Sequence, residues 1–152
     1  MRKLLLTTVV FGLVVAGRAD QARADVGLGF FLGEPTGLDL KVGLDPRSGL
    51  DLLFGINTFH DAHVFYSHAT YLVTPLIAEG TSVSLPLRLG VGAELLGPSD
   101  DLSFGIRAPF EIGLRFKRSP LELYAEVALE FLFVGPADDF DVQGGGGLRV
   151  YF

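Results

Sequence analysis

Residues 102–133 read LSFGIRAPFEIGLRFKRSPLELYAEVALEFLF. From Leu102 to Phe116 every even position is apolar, while Ser103, Gly105, Arg107, Pro109, Glu111, Gly113 and Arg115 fill the odd ones. After Lys117-Arg118-Ser119-Pro120 the apolar residues move to odd numbers: Leu121, Leu123, Ala125, Val127, Leu129, Phe131 and Phe133. Successive side chains of a strand point to opposite faces, so a period of two marks two β-strands, and the four-residue polar connection makes them a hairpin. For a plain four-residue loop the partner numbers sum to 237, which sets Arg107 against Glu130, Arg115 against Glu122 and Glu111 against Glu126. Pro109 removes a ladder donor and predicts a local bulge.

The same alternation recurs on both sides of this hairpin. It predicts strands over about Val26–Leu32, Leu38–Leu44, Leu50–Thr58, about His63–Thr74, Leu85–Leu95 and Phe140–Phe152, with Thr74–Ser82 as a connection. The segment from His63 leaves its faces open, because Phe65, Tyr66, His68 and Tyr71 fall on both sides, and Leu53 interrupts an otherwise polar face. Eight antiparallel strands with short turns predict a closed up-and-down barrel, since closure alone removes both sheet edges.

Before the first strand, Met1-Arg2-Lys3 leads an apolar run from Leu4 to Ala16, and Ala22-Arg23-Ala24 fits a small-residue cleavage site. This reads as a secretory signal peptide over residues 1–24, leaving a barrel domain over 25–152. Loss of Arg2, Lys3, Arg18, Arg23 and Asp20 turns 12 basic and 18 acidic residues into eight and seventeen, a formal charge of −9. That balance excludes a nucleic-acid partner, which needs a basic surface. The absence of cysteine excludes disulfides and thiolate metal sites in an exported chain.

Which face lies inside decides the class. The polar face carries ten glycines: Gly27, Gly29, Gly43, Gly55, Gly90, Gly92, Gly105, Gly113, Gly145 and Gly147. Glycine weakens a strand, so a water-facing surface gains nothing from it, whereas a narrow lumen crossed by Arg and Glu side chains needs the room. Phe104 and Phe116 are twelve residues apart, as are Phe140 and Phe152. At ~3.3 Å per residue and a tilt of ~40° that spacing covers roughly 30 Å along the axis, close to an apolar band between two aromatic girdles. The expectation is an all-β, eight-stranded transmembrane barrel with its apolar face in lipid and these four phenylalanines at the membrane interfaces. A soluble periplasmic lipocalin-like binder of an apolar ligand is the competing barrel, with the faces reversed. An outer-membrane lipid-modifying enzyme is the competing function, needing a Ser–His–acid cluster.

Gly33-Glu34-Pro35-Thr36-Gly37 with Lys41, Arg107-Ala108-Pro109 with Gly113, Pro120-Leu121-Glu122 with Glu126, and the ending Gly147-Leu148-Arg149-Val150-Tyr151-Phe152 resemble a family of small, largely uncharacterised bacterial outer-membrane β-barrel proteins of the OmpA/OmpX-like eight-stranded type, known from spirochaetes and proteobacteria. The resemblance implies fold and location and no established activity. Gly147, Val150 and Phe152 also resemble the terminal-strand signal read by the outer-membrane assembly machinery; Gly145 departs from it, standing where a polar residue is usual.

The inward charges are the main chemical feature. Buried charges must be paired, so Arg88, Arg107, Glu111, Arg115, Glu122, Glu126, Glu130 and Arg149 are expected to form a connected network plugging the lumen. Loop arithmetic places Arg88 diagonal to Glu111, and Arg149 opposite Tyr124 and diagonal to Glu126. His60-Asp61-Ala62-His63 with nearby His68 has metal-ligand chemistry, yet histidines at this loop spacing read as solvated residues, and neither metal nor cofactor is expected. With the N-terminus periplasmic, the outer loops carry Glu34, Asp61, Asp100, Asp101, Asp138 and Asp139 without a Lys or Arg, a surface suited to a cation or an extracellular protein partner. The chain reads as a non-enzymatic monomer in contact with the lipid bilayer.

Overall fold

A computed structural model of the chain describes residues 25–57, 64–97, 102–134 and 139–152, so the expected signal peptide lies outside the described residues. Eight strands follow one another: β1 (Val26–Glu34), β2 (Thr36–Asp45), β3 (Ser48–Asn57), β4 (Val64–Glu79), β5 (Val83–Gly97), β6 (Ser103–Phe116), β7 (Leu121–Val134) and β8 (Asp139–Tyr151). Each pairs antiparallel with the next, and β8 returns to β1 from Gly27↔Tyr151 to Glu34↔Gly144, closing the barrel. The turns at residues 45–48, 80–82 and 117–120 share one end with Asp25 and Phe152, called the turn end below; the opposite end is the loop end.

The β6–β7 register sums to 237 from Arg115↔Glu122 through Arg107↔Glu130, as the hairpin sequence requires, and shifts only at Phe104. Pro109 causes no bulge. Partner numbers on β5 keep step across it, from Leu89↔Phe110 to Gly92↔Arg107, and the ladder is simply open between. The proline bulge lies on β4 instead, where the register shifts between Val73 and Leu76 around Pro75. That bulge is why Thr74–Ser82 is not a connection: β4 absorbs Pro75 and runs on to Glu79. Strands β1 and β2 reach nine and ten residues because residues of the Gly33–Gly37 turn join the ladder. Within that turn Gly33 has a φ of 153°, and a Cβ there would lie 2.4 Å from the Gly144 carbonyl oxygen, so only glycine fits. The Thr36 hydroxyl donates to the Gly33 carbonyl at 2.9 Å and fastens the turn, whose Glu34–Pro35 peptide is cis.

The faces divide as a membrane barrel requires. Ile106, Phe110, Val127, Leu129 and Phe131 stand outward and about half exposed, while Arg107, Glu111, Glu122, Glu126 and Glu130 on the same two strands are buried. Strand β4 resolves into Tyr66, His68, Thr70 and Leu72 inside and Phe65, Ala69, Tyr71 and Val73 outside. Leu53 joins Phe31, Tyr66 and Tyr124 in a small apolar cluster within the lumen. A lipocalin-like binder needs an apolar interior; here the interior is mostly charged and the apolar residues form the outer belt. Phe104 and Phe140 lie toward the loop end of that belt, and Phe116 and Phe152 toward the turn end.

Candidate functional site

Among the described residues the barrel buries seven carboxylates (Asp39, Asp51, Glu94, Glu111, Glu122, Glu126 and Glu130) against four cations (Lys41, Arg88, Arg107 and Arg149). Alternation brings them together, since each is an inward position of its strand, and the glycines around the wall leave room for them to cross. At Gly147 a Cβ would sit 2.4 Å from the Tyr124 ring, and at Gly145 it would sit 2.7 Å from the Phe31 ring. The glycine run of β8 therefore seats two aromatic rings that lean across the lumen, stacked 5.8 Å apart.

Arg149 is the hub. Its guanidinium is fully buried and reaches Asp39 on β2 at 2.6 Å, Asp51 on β3 at 2.9 Å, Glu111 on β6 at 2.8 Å and Glu122 on β7 at 3.3 Å. Its face lies 3.6 Å from the Tyr124 ring centroid, and the Tyr124 hydroxyl donates to Asp39. A planar fork with five donors is the side chain that can serve this many acceptors at once. Arg88 forks onto Glu122 at 2.7 and 2.9 Å and donates to Glu111, while Lys41 donates to Glu111 at 3.3 Å. The Tyr151 hydroxyl adds a bond to Glu122 at 3.1 Å.

Nearer the loop end, Arg107 donates to Glu126 at 2.6 Å and to the Thr70 hydroxyl at 3.2 Å, and its Nε stands 3.7 Å from Glu130. His68 Nε2 lies between the two groups, 3.4 Å from Asp51 and 3.2 Å from Arg107, and one ring nitrogen either donates to the first or accepts from the second. Tyr66 sits between two carboxylates, 3.1 Å from Glu94 and 2.9 Å from Glu130. A phenol hydroxyl carries one proton, so it donates to one of these and can only accept from the other. Among the described residues Glu94 Oε1 has no hydrogen-bond partner.

Several sequence expectations need correction. Arg88 faces Glu111 directly rather than diagonally. Arg149 is opposite Glu122, with Gly147 opposite Tyr124, a register two residues away from the expected one. Arg115 does not join the buried network: it pairs with Asp25 at 2.5 Å near the turn-end mouth and lies 4.0 Å over the Tyr151 ring, while Glu122 is taken by Arg88 and Arg149. The cross-strand neighbours Glu111 and Glu126 avoid each other by turning to different cations, the first to Lys41, Arg88 and Arg149, the second to Arg107. Asp39, Lys41, Asp51, Tyr66, His68 and Tyr124 belong to the network although they stand outside the expected set. His68 is a buried lumen residue rather than part of a loop cluster, and His60, Asp61 and His63 lie outside the described residues, as do Asp100, Asp101 and Asp138. Ser67 and His68 are consecutive on β4 and point to opposite faces, so they do not meet.

The turn end opens into a cavity of about 550 Å³ lined by Lys41, Arg88, Arg115, Thr74, Tyr151 and Asp25 among others. Among the described residues no group of three or more His, Cys, Asp or Glu side chains is placed to hold a metal.

A closed eight-stranded barrel with charges inside and an apolar belt outside has the fold of outer-membrane barrels. The chain is similar to the N-terminal β-barrel domain of Pseudomonas aeruginosa OprF in its crystal structure, with a TM-score of 0.63 over 85% of this chain and 96% of that one. At 12% identity the likeness is one of fold. No family model and no curated protein matches the sequence.

Proposed function

We propose that this protein is a monomeric outer-membrane β-barrel with a structural or surface-interaction role, its lumen plugged by the Arg/Glu network. The observation that carries the reading is Arg149: one buried guanidinium on β8 bonded to carboxylates on β2, β3, β6 and β7 reaches across the lumen, which supports a plug at its level. Export through the secretory pathway by residues 1–24 and insertion by the assembly machinery acting on Gly147, Val150 and Phe152 belong to the same proposal. So do the interface roles of Phe104, Phe116, Phe140 and Phe152, and the acidic outer loops as a contact for a cation or an extracellular protein.

The test is fractionation followed by reconstitution. Recovery with the outer membrane, a mobility shift between unheated and boiled samples, and no steady conductance in a planar bilayer support the reading. A soluble periplasmic protein refutes the location, and an open ohmic channel refutes the plug.

A further inference from the structure

The turn-end cavity has a volume within the range of small-molecule sites. Its lining carries three cations, Lys41, Arg88 and Arg115, against two carboxylates, Asp25 and the exposed Asp45, which accepts from the Arg47 backbone and the Ser48 hydroxyl, where the rest of the lumen is acidic. Lys41 and Arg88 form its floor, and the Glu111 and Glu122 carboxylates they bind lie behind them, fully buried. Lys41 spends one of its three N–H donors on Glu111, at the long distance of 3.3 Å. Arg115 lines the cavity with its guanidinium held flat over Tyr151, and the group it binds is a carboxylate, that of Asp25. That pair is partly solvated, with side chains 34% and 45% exposed, so a competing anion displaces it at little cost. Thr74 also lines the cavity.

We propose that this cavity is a binding site for a small oxyanion, a carboxylate or phosphate group, held by Lys41 and Arg115 with Arg88 behind them and Asp25 displaced from Arg115. Asp25 occupies one cationic corner of the site as a ligand carboxylate would. Binding does not depend on which membrane holds the barrel, so it can succeed or fail independently of the location proposed above.

The test uses the full barrel folded in non-ionic detergent at about 0.15 M salt, where loose surface attraction is screened. Inorganic phosphate and the dipeptide alanyl-alanine are titrated separately while backbone amide shifts are followed by NMR. Saturable shifts confined to the turn end are expected with one or both; phosphate alone points to a phosphorylated ligand, and the dipeptide alone to a peptide carboxylate. Lys41→Met leaves Glu111 bonded to Arg88 and Arg149 and is expected to weaken binding at least about ten-fold, a loss of ~1.4 kcal/mol. Arg115→Gln, at a partly exposed position, is expected to weaken it several-fold, and Gln143→Met at the other end of the barrel to leave it unchanged. No saturable binding of either compound, or binding indifferent to both Lys41→Met and Arg115→Gln, overturns the proposal.

Discussion

The two halves of the lumen solve the same problem differently. Toward the turn end, four carboxylates (Asp39, Asp51, Glu111 and Glu122) meet three cations, and Arg149 alone touches all four. Toward the loop end, three carboxylates (Glu94, Glu126 and Glu130) share one cation, Arg107, which is committed to Glu126. A phenol and a histidine supply the remaining contacts. The first half is locked by multidentate guanidinium bonds and the second is short of positive charge; among the described residues each leaves one buried carboxylate oxygen without a hydrogen-bond partner, Asp39 Oδ1 in the first and Glu94 Oε1 in the second, and Arg107 Nε stands 3.7 Å from Glu130. Removing one partner from a saturated ion cluster strands buried charge, whereas neutralising an acid in an under-paired cluster relieves repulsion. Substitutions in the two halves should therefore differ in size and in sign.

The largest effect is expected for Arg149→Leu, which takes the one guanidinium from Asp39 and Asp51, while Glu111 keeps Lys41 and Arg88; a loss of about 3–5 kcal/mol should appear as a lowered urea midpoint for the folded, heat-modifiable band in lipid vesicles. Glu122→Gln keeps the shape and removes the charge that Arg88 and Arg149 bind, so about 1.5–3 kcal/mol should be lost in the same assay. Glu94→Gln should fall within ~1 kcal/mol of wild type and on the stabilising side, because its amide can donate to the Tyr66 oxygen. A loss for Glu94→Gln equal to that for Glu122→Gln would erase the distinction between the halves. Arg115→Gln breaks only a partly exposed pair and should change the unfolding free energy by less than about 1 kcal/mol.

Much of this was legible in the residues. Period-two alternation carries both strand position and face, so the β6–β7 register and its inward Arg and Glu residues follow from counting. The β7–β8 partners do not, because the register there depends on a connection whose geometry the count ignores; two residues of error replaced Glu122 by Tyr124 opposite Arg149. Arg115 was misjudged because alternation gives a face and not a height: it is inward-facing but too near the mouth to stay buried. Asp39, Lys41 and Asp51 are inward positions of β2 and β3, but pairing across the bore joins strands far apart in sequence, which cross-strand arithmetic cannot reach. The mixed aromatic pattern of β4 hid Tyr66 and His68 until closure assigned its faces.

The central claim is that the apolar face points into lipid and the charged face into a closed lumen. The chain has no cysteine, so single cysteines carry an unambiguous label. Nitroxide labels placed one at a time at Ile106, Ala108, Phe110 and Ile112 and at Ser103 and Pro109, in barrels folded into vesicles, report collision with oxygen from the lipid and with a water-soluble nickel complex. The account predicts high oxygen accessibility at the four even positions and little collision with either reagent at the odd ones. Even positions shielded from oxygen, with odd positions open to the nickel complex, would contradict it.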